Sequence, residues 1–362
     1  MTNNNSQNFA GIYVHIPFCK QKCNYCDFKS FPCINRAEEY FDALKQEILN
    51  TDIPSETIDT VYFGGGTPSF VDEKFIVDIF NLLNKRFEFD VKEASIEVNP
   101  ESATLKKLMT YKETGFNRLS IGVQSLSDDV LKFLGRVHNS KTAKQAITRA
   151  VKIFENINCD IMLVGQSAES LAKDIEYLSD SGVKHISCYM LQIEEGTPFY
   201  DRYIKNDIKL PTDDELADMF SFAIAKLKSL GYERYEVSNF CKRGYESKHN
   251  LGYWVRKPYY GFGLSAHSLI GNERYGNQSA FDEYVSDPLK REFKEVLSES
   301  DIELERIMLA LRTSHGLLKE EILNKPDFYD KYKNYFYIKG DRISLNDKGF
   351  MIMNKILVDL FQ

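Results

Sequence analysis

The stretch that decides the fold is Cys19-Lys-Gln-Lys-Cys23-Asn-Tyr-Cys26, which places three cysteines on one short segment. Three thiolates so close together suit a 4Fe-4S cluster, because each sulfur can bind one iron and leave the fourth iron without a protein ligand. A tetrahedral zinc site would need a second pair of ligands, and no matching CxxC or HxxxH pair occurs elsewhere. The pattern therefore favours an iron–sulfur cluster over zinc, and the open iron predicts an exogenous ligand.

The composition around this segment is that of a folded protein. The chain has 362 residues, enough for about two domains, with 43% hydrophobic and 27% charged residues. Its 46 basic and 53 acidic residues give a net charge of −7, which argues against a generally basic surface, so no nucleic-acid partner is expected.

The remaining cysteines and the N-terminus bear on location. Four of the seven cysteines are scattered along the chain, a pattern unlike that of a secreted protein built on disulfides. Residues 1–10 lack a basic stretch and an apolar core, and no window is apolar enough to cross a membrane. These observations predict a cytoplasmic protein.

The first two-thirds of the chain alternate short β-type runs with stretches that have helical spacing. Six such runs predict strands at residues 11–16, 57–63, 94–98, 118–123, 158–164 and 184–190. Because parallel strands need crossover connections, six strand–helix units predict an α/β fold with a parallel sheet. Periodicity alone does not decide between an open sheet and a barrel.

The pattern changes after about residue 200. A helix is predicted over residues 212–230, and the aromatic and glycine-rich stretch 232–275 shows weak periodicity. From about residue 282 the chain is mostly helical, with a hairpin at 336–345 and a helix from Asp347, which together resemble a winged-helix module. We expect three parts: a core at 1–205, an extension at 206–284 and a C-terminal, mostly helical, winged-helix-like domain at 285–362.

The segment from Tyr13-Val-His-Ile-Pro-Phe through the three cysteines to Asp27-Phe28 resembles the signature of the radical S-adenosylmethionine (SAM) superfamily. More narrowly, it resembles the branch that includes oxygen-independent coproporphyrinogen III oxidases and HemW-type heme chaperones. The resemblance implies a partial (β/α)6 radical-SAM barrel. It also implies S-adenosylmethionine on the open iron of a cluster held by Cys19, Cys23 and Cys26, where one electron cleaves it to a 5′-deoxyadenosyl radical.

The same resemblance supplies a set of cofactor contacts. The predicted strand at 57–63 runs into Gly64-Gly-Gly-Thr-Pro68, where glycines let the backbone approach a ligand closely. Further polar residues lie near the ends of later strands, where sites in α/β barrels gather. The segment after Asp160 is about two residues shorter than in relatives. The residues that the resemblance assigns to S-adenosylmethionine are Tyr13, Tyr25, Gly65, Gly66, Thr67, Glu97, Gln124, Arg136 and Asp160.

The single tryptophan lies in His249-Asn-Leu-Gly-Tyr-Trp254. Taken alone, a tryptophan near a histidine is more often a core aromatic residue beside an imidazole whose nitrogens are hydrogen-bonded within the protein. HNxxYW is, however, similar to a motif of HemW-type proteins associated with heme. A histidine can supply an axial nitrogen to heme iron, and aromatic rings can stack on the macrocycle. His249 is therefore the candidate heme ligand, with His267, in a wall of the same cavity, as the second choice.

One position separates the two activities of the branch. The decarboxylases carry a fourth cysteine two residues after the third, and here that position is Phe28. The first hypothesis is therefore a cytoplasmic heme chaperone that passes heme to acceptor hemoproteins such as respiratory enzymes, with an electron donor for its cluster and at most peripheral membrane contact. The alternatives are an oxygen-independent coproporphyrinogen III oxidase or a radical enzyme acting on another substrate, so the sequence leaves open whether the protein is an enzyme.

Overall fold

A computed structural model describes residues 8–32, 34–52 and 56–361. Cys33 and most of the first ten residues lie outside these ranges. Three short 3-10 helices lie at Ile34–Arg36, Pro68–Phe70 and Lys333–Tyr335. The elements of the core are β1 (Phe9–Ile16), α1 (Ala37–Asn50), β2 (Thr57–Gly65), α2 (Glu73–Arg86), β3 (Phe89–Val98), α3 (Leu105–Thr114), β4 (Arg118–Gln124), α4 (Asp128–Phe133), α5 (Ser140–Ala150), β5 (Asn156–Leu163), α6 (Ala168–Asp180), β6 (His185–Met190), α7 (Pro198–Ile204) and α8 (Asp213–Ser229).

Strands β1 to β6 pair in sequence order and are all parallel, with helices as crossovers. The predicted α/β fold with six strand–helix units is confirmed, and each predicted strand lies within about five residues of an observed one at either end. Within the described chain the strand order has two free ends, so the parallel strands form an open, partial barrel and not a closed one.

The strands form where one face or both faces of the chain are apolar. In β1, Ile12, Val14 and Ile16 are fully buried and pack against the surrounding helices. The predicted helix at 212–230 is also confirmed as α8, which begins with a capping box between Thr212 and Glu215. A large apolar core therefore lies between the sheet and its helices.

The stretch after α8 widens the same sheet at both ends. Its elements are β7 (Glu233–Arg234), β8 (Asn239–Cys241), α9 (Lys248–Trp254), β9 (Tyr259–Phe262), β10 (His267–Ile270), β11 (Glu273–Asn277), α10 (Phe281–Ser286) and β12 (Arg291–Val296). Strand β9 pairs in parallel with β1, and β10, β11 and β12 follow it antiparallel, while β8 and β7 extend the sheet beyond β6. The HNxxYW segment forms most of α9, which packs near β2.

The C-terminal region is mostly helical and has its own apolar core, which includes Leu311, Ile343 and Ile356. Its elements are α11 (Glu299–Ala310), β13 (Leu317–Leu318), α12 (Lys319–Leu323), α13 (Pro326–Tyr332), β14 (Phe336–Lys339), β15 (Arg342–Leu345), α14 (Asp347–Met351) and α15 (Met353–Leu360). The predicted hairpin is confirmed as β14 and β15, which turn at Gly340 with φ of +65°.

Strand β12 was not predicted. It lies inside the range expected for the third part, 285–362, but its hydrogen bonds join it to β11 of the second. The predicted ranges 1–205, 206–284 and 285–362 stay predictions. Among the residues that the structure describes, no helix is both long enough and apolar enough to cross a membrane.

Candidate cofactor cavity and an adjacent groove

A cavity of about 360 Å³ opens at the carboxyl ends of the central parallel strands. Sites in sheets of this kind gather at that edge, because the strand-end loops converge there. Nearly all the residues predicted to hold the cluster and S-adenosylmethionine border this one cavity. They are Cys19, Cys23, Cys26, Tyr25, Gly65, Gly66, Thr67, Glu97, Gln124, Arg136 and Asp160. Tyr13 and His249 do not border it.

The three cysteines lie on the loop between β1 and α1, and none forms a disulfide. The loop is fixed by backbone hydrogen bonds: Cys19 N donates to Phe31 O at 3.1 Å and Cys26 N to Cys23 O at 3.3 Å. Burial raises the pKa of Cys26 to about 11 and also raises that of Cys19, so iron would have to displace a proton from each thiol. Within the described ranges, no three His, Cys, Asp or Glu side chains converge tightly enough to hold a single metal ion.

The glycine-rich turn after β2 packs directly on the cysteine loop. Gly66 N donates to Ile16 O at 2.9 Å, and Thr67 N donates to Phe18 O at 2.8 Å. The hydroxyl of Thr67 lies 3.4 Å from Cys19 Sγ. A Cβ on Gly66 would stand 2.8 Å from the carbonyl oxygen of Phe18, so a larger residue would separate the turn from the loop. Glycine here keeps the turn and the thiols in contact.

Glu97 lies near the end of β3 and is the best-supported carboxylate of the cavity. It accepts hydrogen bonds from the Tyr62 hydroxyl at 2.8 Å and from Gly65 N at 3.1 Å. Burial raises the pKa of Glu97 to about 7, despite these two donors. The carboxylate is thus held in a fixed position beside the glycine turn, and its pKa lies close to neutral pH.

Arg136 connects the cysteine loop to the strand ends. Its Nη1 lies 3.3 Å from Cys23 Sγ, and its Nη2 donates to Asn99 Oδ1 at 2.6 Å and to Gly122 O at 2.9 Å. Its Nε is buried and has no partner in the described chain. A buried donor without a partner is costly, so this atom is available to an acceptor on a ligand.

Gln124 and Asp160 complete the polar side of the cavity. Gln124, the last residue of β4, has a φ of +64°, a left-handed conformation that non-glycine residues adopt at functional sites more often than elsewhere. Asp160 lies on β5, where Asn158 Nδ2 donates to it at 2.8 Å. Burial raises the pKa of Asp160. The side chain of Asp160 borders the cavity.

The sequence analysis missed several residues of this cavity. Tyr62 and Asn99 position Glu97, Thr67 and Arg136 through hydrogen bonds of 2.6 to 2.9 Å. A signal for Asn99 was present, because it follows β3 two residues after Glu97, at the edge where sites gather. Other cavity residues that were not predicted include Arg118, Ser120, Gly122, Asn158, Ser187 and Tyr189.

The side chains present fit the group that the cysteine motif implies. Three thiols share one wall with a glycine turn, and the facing walls supply two carboxylates, the amide of Gln124 and an arginine with an unpartnered Nε. A ligand that carries an amine, a carboxylate and sugar hydroxyls needs this mixture of donors and acceptors.

A second, more open depression of about 850 Å³ lies next to the cavity; we call it the groove. It is bordered by β1, the loop after the cysteines, α9, β9, β10, β11 and α11. Asp27 and Phe28 border both the cavity and the groove. Tyr13 belongs to the groove: its ring stacks on Tyr62 at 6.2 Å between centroids, and it is Tyr62 that borders the cavity. Tyr13, which was predicted to contact the cofactor, therefore does not line the cavity.

His249 lies behind the groove and is 3% exposed. Its Nδ1 is 3.1 Å from Thr60 Oγ1 and its Nε2 is 2.8 Å from the Tyr253 hydroxyl, so both ring nitrogens have protein partners. Burial lowers the pKa of His249 to about 3. His267, the second-choice ligand, borders the groove and is exposed.

The fold and the three-cysteine cavity define a radical SAM protein, and residues 13–178 match the description "Radical SAM superfamily". Over 326 residues the chain is 38% identical to "Heme chaperone HemW" of Bacillus subtilis (strain 168), covering 86% of each chain. Over 362 residues it is 32% identical to the protein of the same name from Lactococcus lactis subsp. lactis (strain IL1403), covering 95% of each. The chain belongs to the HemW family of the radical SAM superfamily.

A solved structure confirms the fold. The chain matches coproporphyrinogen III oxidase (HemN) from Escherichia coli with a TM-score of 0.81 and 23% identity, over 98% of this chain and 90% of that one. At this identity the likeness concerns the fold: a parallel-stranded radical SAM core followed by a helical C-terminal region.

Proposed function

We propose that this protein is a heme chaperone, which binds heme and passes it to acceptor hemoproteins. The observation that carries the proposal is the likeness to proteins named heme chaperone, which extends over 95% of the chain in one case. Phe28 supports it, because a phenylalanine stands where the decarboxylase branch carries its additional cysteine. We further propose a cytoplasmic location, with contact to a membrane only through a recipient.

The cavity would hold a 4Fe-4S cluster on Cys19, Cys23 and Cys26, with S-adenosylmethionine beside it. When bound, such a cluster supplies one-electron reduction of S-adenosylmethionine. Gly65, Gly66 and Thr67 would let the ligand approach the backbone, while the carboxylates of Glu97 and Asp160 would accept hydrogen bonds from its amine or hydroxyl groups. Arg136 and Gln124 would donate to its carboxylate or ring atoms. An electron donor would have to reach the cluster from the open side of the loop.

A second candidate function is the oxidative decarboxylation of coproporphyrinogen III. The observation that favours it is the fold shared with the HemN oxidase, and that likeness concerns the fold alone. Phe28 argues against it. Its side chain is 64% exposed between the cavity and the groove and carries no thiol.

Heme transfer gives the direct test. The purified protein is loaded with hemin, separated from free hemin, and mixed with an apo b-type hemoprotein while the Soret band of each partner is followed. We expect the acceptor's spectrum to appear and the donor's to decline together, since a chaperone must release what it binds. Retention of heme by the protein through a large excess of acceptor would contradict the proposal.

The alternative is tested under reducing, anaerobic conditions with reconstituted cluster, coproporphyrinogen III and S-adenosylmethionine. Steady formation of protoporphyrinogen would replace the chaperone proposal with the decarboxylase one. A Phe28→Cys variant is the matched control, because it adds the thiol at the position where the decarboxylase branch has it.

A further inference from the structure

The groove has the size and the apolar lining of a site for a large planar ligand. Its volume of about 850 Å³ lies in the range typical of cofactor pockets. Tyr253 and Tyr259 line it with rings packed edge to face at 4.7 Å between centroids, and Leu269 and Met308 add aliphatic and thioether surface. Aromatic faces and a polarizable sulfur are the surfaces on which a porphyrin plane packs.

His267 is the histidine that is free to bind iron there. It begins β10 and lies two residues before Leu269, so both side chains project to the groove. Its ring packs edge to face on Phe293 at 5.2 Å between centroids. In the part of the chain that the structure describes, neither nitrogen of this exposed ring is hydrogen-bonded to protein, in contrast to the ring of His249.

The loop that precedes His267 is fixed by hydrogen bonds to buried side chains of α1 and β11. Gly263 N donates to the buried carboxylate of Glu47 at 2.8 Å, and Leu264 N donates to the Tyr40 hydroxyl at 3.2 Å. Asn277 also donates to Glu47 and to Gly263 O, at 2.7 and 2.8 Å. A ligand on such a loop needs little reorganisation on binding.

The charged side chains of the groove include two arginines, and cations exceed anions by one. Arg256 and Arg274 line it, and both pair with Glu305 on α11. With Lys29 and Asp27, the groove has three cationic and two anionic side chains. Arginines recognise carboxylates through paired hydrogen bonds, so the two propionates of heme would find partners among them.

Backbone strain also concentrates in the groove. Arg256 and Ser265 have φ values of +55° and +57°, two of the four non-glycine residues with positive φ in the described chain. Both border the groove, and Ser265 Oγ is buried without a hydrogen-bond partner within the described residues. Strain of this kind persists where a binding site needs a side chain in one place.

His249 has a different position. It stacks on Tyr62, which borders the cavity, at 5.2 Å between centroids, and its Nε2 holds the hydroxyl of Tyr253, which borders the groove. To bind iron, it would have to break that hydrogen bond and leave a buried position. Its place in the structure is that of a positioning residue for Tyr253.

We propose that heme binds in the groove with His267 as its axial ligand, that Arg256 and Arg274 bind its propionates, and that His249 acts by positioning Tyr253. The proposal rests on the proposed heme-chaperone function and names the site for it. It replaces His249 as the ligand while keeping the HNxxYW segment as part of the site.

The test is a hemin titration of the full-length protein and four variants, followed by Soret absorbance and electron paramagnetic resonance. His267→Ala should lose the histidine-ligated spectrum and weaken binding about tenfold or more, and added imidazole should restore the spectrum. His249→Gln should keep the position of the Soret band with only a few-fold weaker binding. Tyr253→Phe should resemble His249→Gln, and His315→Ala, an exposed histidine of the C-terminal region, should match the wild type.

The outcomes separate the site from the function. Wild-type protein that does not bind hemin would end the proposed function itself. If the wild type binds hemin and His267→Ala keeps the histidine-ligated spectrum, the assignment of His267 as the ligand is overturned alone. Loss of that spectrum in His249→Gln would then identify His249 as the ligand. Thermal melting and iron content of each variant distinguish a lost ligand from a misfolded chain.

Discussion

The cavity and the groove lie side by side but have walls of different origin. The cavity is bordered by strand ends and strand-end loops of one parallel sheet, together with the cysteine loop. The groove is bordered on one side by that sheet and on the other by α11, a helix in which no residue is fully buried. The first site is therefore fixed by the hydrogen bonds of the sheet, and the second by how a peripheral helix packs.

Under the proposed function, this difference would let one chain keep the cluster and the heme apart. Tyr62 and His249 stack between the two sites, and Phe28 borders both at the surface. Under the proposed function, the cavity would need rigid walls that exclude water, whereas the groove would have to admit and release heme. Strand ends border the cavity, and a helix without buried residues borders the groove, which is consistent with these two needs.

Replacing Cys19, Cys23 and Cys26, the three cysteines proposed to hold the cluster, by serine gives the largest expected effect. The variant should bind no iron after anaerobic reconstitution, because no thiolates remain on the loop. Hemin binding should stay within about threefold of the wild type, since no cysteine lines the groove. Iron analysis measures cluster binding and hemin titration measures heme binding, with Cys241→Ala as the control variant. Parallel loss of iron and hemin binding would mean that the cavity and the groove form one site.

Removing the carboxylate beneath the groove loop should be the next largest effect. Glu47 is fully buried and accepts hydrogen bonds from Gly263 N, Asn277, Tyr284 and Arg291. Glu47→Ala leaves these donors without a partner and should lower the free energy of unfolding by about 3 kcal/mol. Burial raises the pKa of Glu47, so Glu47→Gln, which resembles the protonated form, should lose only about 1 kcal/mol. Urea unfolding measures both free energies. A loss in Glu47→Ala as small as the one expected for Glu47→Gln would refute a role for the network.

A pair of glycine variants addresses the two regions separately. In Gly66→Ala, a Cβ only 2.8 Å from the carbonyl oxygen of Phe18 would strain the turn by about 2 kcal/mol. In Gly261→Ala the new Cβ would overlap the carbonyl oxygen of His267. We expect calorimetry to show weaker S-adenosylmethionine binding only in the first, and hemin titration weaker binding only in the second. If either variant weakened the binding of both ligands, or of the opposite ligand, the cavity and the groove would not be separate binding sites.

The smallest expected effect is a pH dependence confined to the cavity. Because burial raises the pKa of Glu97 to about 7, its carboxyl takes up a proton as the pH falls through that value. If the carboxylate binds S-adenosylmethionine, affinity should fall by up to tenfold per pH unit below 7, or about 1.4 kcal/mol. Glu97→Gln should remove the dependence, and hemin binding should not show it. An unchanged slope in Glu97→Gln would remove Glu97 from the ligand set.

The cavity could be predicted largely from sequence because its signals are local. The three cysteines lie within one short segment, and the glycine turn forms another. Glu97 and Gln124 lie at or near the ends of neighbouring parallel strands, and such ends lie close together in the sheet. Tyr13 shows the limit of this reasoning. Its strand was predicted, but the stacking on Tyr62 that keeps it from the cavity depends on the register between β1 and β2.

The groove could not be predicted in the same way. Its walls bring together residues of β1, β10 and α11 that no motif connects, and β12 beside it lacks an apolar alternation because most of its residues are exposed. His249 shows the second limit: a motif identified the segment, while its burial and its hydrogen bond to Tyr253 came only from packing.

The pairing of Glu305 with Arg256 and Arg274 has a mechanical consequence. Strands β1, β9, β10 and β11, which form much of the rest of the groove, belong to one continuous sheet, so moving them would separate paired strands. The wall of α11 is fastened across the groove by one carboxylate and two guanidinium groups, which an incoming anion can replace. Because these three side chains are partly buried, dissolved salt screens the ion pairs only weakly. Opening of α11 should therefore respond to an anionic ligand that enters the groove more than to ionic strength.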